Sequence, residues 1–134
     1  MPNNITSQKR IAFTHVIMDI LDNWRVKAID QIKILDLPKG TRSRALRRYY
    51  EETPLPDSAN VMERVEHLLG IAEALRTTYP HNYEMGTHWM NQPHRRFENR
   101  TPLNAMIQDG LDGLIAVRVQ LDCAYYWALT DKKL

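Results

Sequence analysis

WMNQPHRRFENRTPLNAMIQDGLDGLIAVRVQLDCAYYW, residues 89–127, decides how the rest of the chain reads. A short apolar segment ends at Asn91-Gln92-Pro93, and a basic loop with one phenylalanine, Phe97, follows. Thr101 then stands before Pro102, a good N-cap followed by proline at the first helical position. The run Leu103–Ile107 stops at Asp109-Gly110, and a longer amphipathic stretch begins near Leu111. Its apolar residues Leu111, Leu114, Ile115, Val117, Leu121 and Tyr125 recur three and four apart. The order is therefore helix, structured loop, short helix, long helix. Asp109 and Asp112 beside the glycines are expected to cap helix ends.

Working outward, the same periodicity runs through most of the 134 residues, with few glycines between. The prediction is an all-α chain of six or seven helices with short connections. A hydrophobic fraction of 43% argues against wholesale disorder. The net charge of +2 says little, but its distribution says more. Residues 1–54 hold ten Lys/Arg against six Asp/Glu, and residues 55–134 hold eight against ten. Cys123 is the single cysteine and sits in an apolar pattern, so it is expected to be a small buried hydrophobe. The polar N-terminus does not read as a signal peptide, and no apolar run is long enough to span a membrane. The expectation is a cytoplasmic protein.

The first helix is expected over 6–24, capped by Thr6 or Ser7, with Phe13, Val16, Ile17, Ile20, Leu21 and Trp24 on one face and Trp24 as a core anchor. A second spans about 26–35 with Val26, Ile29, Ile32 and Leu35 inward. Asp36-Leu37-Pro38-Lys39-Gly40 is a turn. Thr41 would cap a third helix over 42–51 that carries four arginines. Two short helices, a turn with glycine and a basic second member suggest a helix-turn-helix. Lys39, Thr41, Arg42, Ser43, Arg44, Arg47 and Arg48 would face a groove or phosphates. The competing reading is a solvated basic helix that only supports the fold. Pro54 and Pro56 mark the clearest boundary, dividing the chain into 1–54 and 55–134. A helix over 59–79 follows, in which Gly70 marks close packing or a kink.

Chemistry is sparse. His15, His67, His81, His88 and His94 form no compact metal-ligand spacing, no nucleophile motif or glycine-rich phosphate loop is present, and neither a cofactor nor enzyme activity is expected.

The residues Trp89, Pro93, Phe97, Arg100, Thr101, Pro102, Leu103, Met106, Gly110, Val117 and Leu121 resemble the toxin-binding domain of the Xre/MbcA/ParS antitoxin family. The likeness covers residues 60–127 well and 24–50 loosely. Asn99 stands where the family usually has glycine, and asparagine tolerates positive φ best after glycine. The resemblance implies an N-terminal helix-turn-helix-like bundle, then a linking helix and a helical toxin-binding domain. It implies a type II antitoxin that binds and neutralises a cognate NAD-consuming, RES-type toxin, forms a homodimer and binds operator DNA. Trp89, Phe97, Asn99, Arg100, Thr101, Pro102, Leu103 and Gly110 would build the motif. Within it, Arg100 is expected to hold the loop through backbone carbonyls or a carboxylate such as Glu98. Arg95, Arg96, Tyr125, Tyr126, Trp127 and Asp131 would meet the toxin, with the basic loop against an acidic rim. Alternatively, Tyr125 and Trp127 pack into the protein's own core. The alternative function is a dimeric helix-turn-helix transcriptional regulator without a toxin partner.

Overall fold

The computed structural model describes residues 2–132, with side chains described for residues 7–123. Among the described residues it is all-α, as predicted: seven α-helices, two 3-10 turns and no β-strand. They are α1 Pro2–Asn23, α2 Ala28–Leu35, α3 Arg47–Tyr50, α4 Ala59–Thr78, α5 Tyr83–Met90, α6 Pro102–Asp109 and α7 Leu111–Lys132. The 3-10 turns are Ser43–Leu46 and Arg95–Phe97. None of the described helices is long and apolar enough to cross a membrane. Two compact units form, Met1–Val65 and Glu66–Leu134.

In the first unit, α1 starts at Pro2, ahead of the expected Thr6/Ser7 cap, because proline is tolerated in a first turn. Its buried face is Thr14, Ile17, Met18 and Leu21, continued by Trp24, while Val16 is 50% exposed. Ile17, Leu21 and Trp24 are inside as expected, and the face also takes in Thr14 and Met18. Val26 and Leu35 are buried as expected, with Gln31 and Ile34 beside Leu35 in α2, while Ile29, expected inside, is 57% exposed. Trp24 is 5% exposed, as a core anchor should be. The chain reverses after α1 at Arg25 (φ 63) and after α2 at Asp36 (φ 54), both in the left-handed region. The crossed backbone bonds Val26 N→Leu21 O and Leu37 N→Ile32 O close these helix ends.

The Pro54–Pro56 segment belongs to the first unit. Leu55 is 2% exposed; its N–H donates to Thr14 Oγ1 at 2.9 Å, and its carbonyl accepts from Arg10 at 3.2 Å. Extended backbone between two prolines has no internal partners, so burying it requires side chains from elsewhere. Thr14 and Arg10 supply them. The division between the units consequently falls inside α4, after Val65.

In the second unit, Leu68, Ile71 and Leu75 of α4, Met90 of α5, Phe97, Leu103 and Met106 around α6, and Leu114, Val117 and Leu121 of α7 are buried. Asn82 caps α5 by accepting from Glu84 N–H. Two glycines permit close approach. A Cβ at Gly113 would overlap the carbonyl of Ala105 and reach 3.0 Å from Met106 Cα, so α7 passes against the backbone of α6. A Cβ at Gly70 would overlap the Arg118 guanidinium, whose Nη1 lies 3.2 Å from His67 Nδ1. Gly70 therefore marks close packing within an unbroken α4. Cys123 is exposed, against expectation. It lies two residues beyond buried Leu121, about 200° further round the helix.

Candidate partner loop and basic segment

The loop 94–100 closes on its own backbone. His94 N–H donates to Arg100 O at 3.1 Å, and His94 O accepts from both Phe97 N–H and Asn99 N–H at 3.0 Å. Closing so short a ring requires two successive left-handed residues, Glu98 (φ 59) and Asn99 (φ 64). The tolerance of asparagine identified Asn99; glutamate carries no such signal, and Glu98 was not foreseen. Phe97 is buried and meets the Trp89 indole edge-on at 6.4 Å. His94 lies 4.9 Å from the same indole, and its Nε2 is 3.2 Å from Trp89 O.

Arg100 locks the loop to α6. Its Nε donates to Phe97 O at 3.0 Å, and Nη1 donates to Gln108 Oε1 at 3.0 Å. Two further bonds, 3.1 and 2.9 Å, hold the Asp109 carboxylate in a fork. The expected backbone bond is present, but the carboxylate is Asp109, not Glu98. With Glu98 in the left-handed region, the chain turns there, whereas Asp109 at the end of α6 meets the guanidinium. Asp109 thus acts as an ion-pair partner instead of a cap. Hydrogen bonding from Arg100 holds its carboxyl below the ordinary range, with the guanidinium's charge adding to the effect and desolvation opposing it. Thr101 caps α6 as predicted, accepting from Asn104 N–H at 3.0 Å, with Pro102 in the first turn. Pro102 and Leu103 are buried, and Gly110 ends the helix at φ 63. Arg95 and Arg96 are exposed. The side chains of Tyr125, Tyr126, Trp127 and Asp131 lie outside the described residues.

In the first unit the basic segment is not the single helix expected over 42–51. It is one 3-10 turn, Ser43–Leu46, followed by one α-helical turn, Arg47–Tyr50. Thr41 does not cap it. Its hydroxyl turns back to donate to Pro38 O at 2.6 Å, and Arg42 occupies the cap position without a side-chain bond. An uncapped start favours the tighter 3-10 geometry. Lys39, Arg42, Ser43, Arg44, Arg47 and Arg48 are exposed and Thr41 is half-buried. Arg47 pairs with Glu51 at 3.2 Å. Buried Leu46 fastens the segment from below. Tyr50 fastens its end, donating to Asp22 Oδ1 at 2.7 Å, and His15 Nε2 lies 2.8 Å from Glu51 O. The Tyr50 ring remains exposed, yet burial of its hydroxyl and the bond to Asp22 push that group up to about 12. Such a surface of guanidinium groups can take phosphate oxygens or base edges. Among the described residues, no group of three or more His, Cys, Asp or Glu comes together as a metal would need.

No protein-family model matches the chain. The uncharacterized protein y4oB of Sinorhizobium fredii (strain NBRC 101917 / NGR234) is 34% identical to it over 103 residues, which cover 77% of this chain and 76% of that protein. The chain therefore belongs to the same family as the uncharacterized protein y4oB.

Proposed function

We propose that the protein is a type II antitoxin of the Xre/MbcA/ParS kind. It binds and neutralises a cognate NAD-consuming, RES-type toxin in the cytoplasm, acts as a homodimer, and represses its own operon through the basic segment. The observation that carries this reading is the 94–100 loop. It is closed on its backbone and pinned by Arg100, so Arg95 and Arg96 are presented from a backbone already ordered. An ordered loop avoids much of the entropy cost of association. An acidic rim on the toxin is the complementary surface, and the C-terminal residues Tyr125, Tyr126, Trp127 and Asp131 form the second contact. Exposure of Arg42, Arg44, Arg47 and Arg48 supports the operator contact. It also favours the second reading, a dimeric DNA-binding regulator without a toxin.

Co-expression with the product of the neighbouring gene, followed by pull-down and growth rescue, tests the first reading. Truncation after Cys123 should abolish rescue while the rest of the fold persists. Full rescue by the truncated chain would remove the C-terminal segment from the neutralising surface. A harmless neighbouring product would overturn the antitoxin reading and leave the regulator. For DNA, promoter binding should fall steeply with salt as phosphate contacts are screened. It should disappear in Arg44→Ala/Arg47→Ala with toxin binding intact.

A further inference from the structure

Arg118 of α7 reaches across to α4 and rests on Gly70, where an added Cβ would overlap its guanidinium. Its Nη1 lies 3.2 Å from Nδ1 of His67, which stands one turn before Gly70. A guanidinium has hydrogens to donate and nothing with which to accept, so Nδ1 must be the acceptor and carries no proton here. The ring is therefore the neutral tautomer with its hydrogen on Nε2. Both side chains are half-buried. The charged groups nearest to them along the two helices are Glu63, Arg64 and Glu66 on α4 and Asp122 on α7, one turn beyond Arg118. Arg64 is paired with Asp36. Among the described residues neither Arg118 nor His67 has an ion pair. The cation is thus held on α4 by an imidazole lone pair, with no carboxylate joined to it.

We propose that His67 and Arg118 form an acid-released latch between α4 and α7. The proton that the imidazole takes up on acidification goes to Nδ1, the lone pair that Arg118 uses. The bond from Arg118 Nη1 breaks, and two cations are left side by side. The guanidinium is the group that leaves, since it sits on a long flexible stem and Asp122 at i+4 is within its reach. Its departure empties the space over Gly70, a position where α4 has no side chain of its own to fill the gap. The contact between α4 and α7 therefore holds above the range in which imidazoles titrate and opens below it. All the residues of the latch but Glu63 and Arg64 belong to the second unit, and the inference stands whether or not the chain neutralises a toxin.

The test is a nuclear Overhauser measurement on the full chain, between the Arg118 Cδ protons and Gly70 Hα, from about pH 8 to about pH 5. In the wild type the contact should be present at the upper end and lost at the lower, with the same midpoint as the His67 Cε1 proton shift. In His67→Gln it should be present at both ends, because the amide oxygen still accepts from Arg118 and takes up no proton. A contact that persists in the wild type, or that changes with a midpoint other than the ring's, would overturn the proposal. Loss of the contact on acidification of His67→Gln would do the same, as would a His67 ring that takes up no proton by about pH 5.

Discussion

Helix propensity and packing make opposite predictions for Gly113→Ala. Glycine inside a helix costs about 1 kcal/mol relative to alanine, so propensity alone predicts a stabilised α7. The structure predicts the reverse. The added Cβ would overlap the Ala105 carbonyl and crowd Met106 Cα, and both are backbone atoms that no rotamer change can move aside. Relief requires α6 and α7 to separate, which loosens buried Met106 and Leu114. Overpacking of this kind costs about 1–3 kcal/mol, with backbone clashes at the upper end. After the propensity gain, the net loss should be about 1–2 kcal/mol. For a unit of this size, that lowers the melting temperature by roughly 4–16 °C. Thermal and urea melts of Gly113→Ala, with Ala116→Gly at an exposed position of the same helix as the propensity control, provide the measurement. A melting temperature for Gly113→Ala at or above that of the wild type would refute the close α6–α7 approach.

Three further outcomes are expected. Thr101→Ala removes the cap of α6 and should cost about 1 kcal/mol in a urea melt. Arg100→Gln should return the Asp109 carboxyl to its ordinary value near 3.8 by NMR titration. In the wild type the depressed value contributes stability above that pH, and this is lost as pH falls through the lower folded-state value. The Tyr50 hydroxyl, raised from 10.0 to about 12, contributes stability that is full below about pH 10 and lost between about pH 10 and 12; an ultraviolet titration should show Tyr50 ionising late, and earlier in Asp22→Asn.

What was legible in the sequence was whatever short-range stereochemistry dictates. Thr101-Pro102 starts α6, Asn99 takes a positive φ, and Trp24 is buried. Each depends on a residue and its immediate neighbours. The misses depend on distant partners or on small rotations. Asp109 looked like a cap until the loop brought Arg100 to it. Thr41 looked like a cap until Pro38 claimed its hydroxyl. The stripes were right at Ile17, Leu21, Trp24, Val26 and Leu35 but wrong at Val16 and Ile29, because neighbouring positions differ by 100° round a helix and the spacing alone does not fix the edge of a stripe. The cluster in which Asp22 accepts from Gln31 and Tyr50 was invisible because its members come from three separate elements, and no local pattern joins them.

The ring of bonds in the 94–100 loop separates shape from lettering. Its curvature is maintained by main-chain groups and by the fork of Arg100, so nothing in the turn depends on which side chains stand at 95 and 96. Those two sites can be rewritten, to acidic, aromatic or small residues, without disturbing the scaffold that displays them. A lineage of such proteins could therefore vary the two exposed residues at two codons while every copy folds alike.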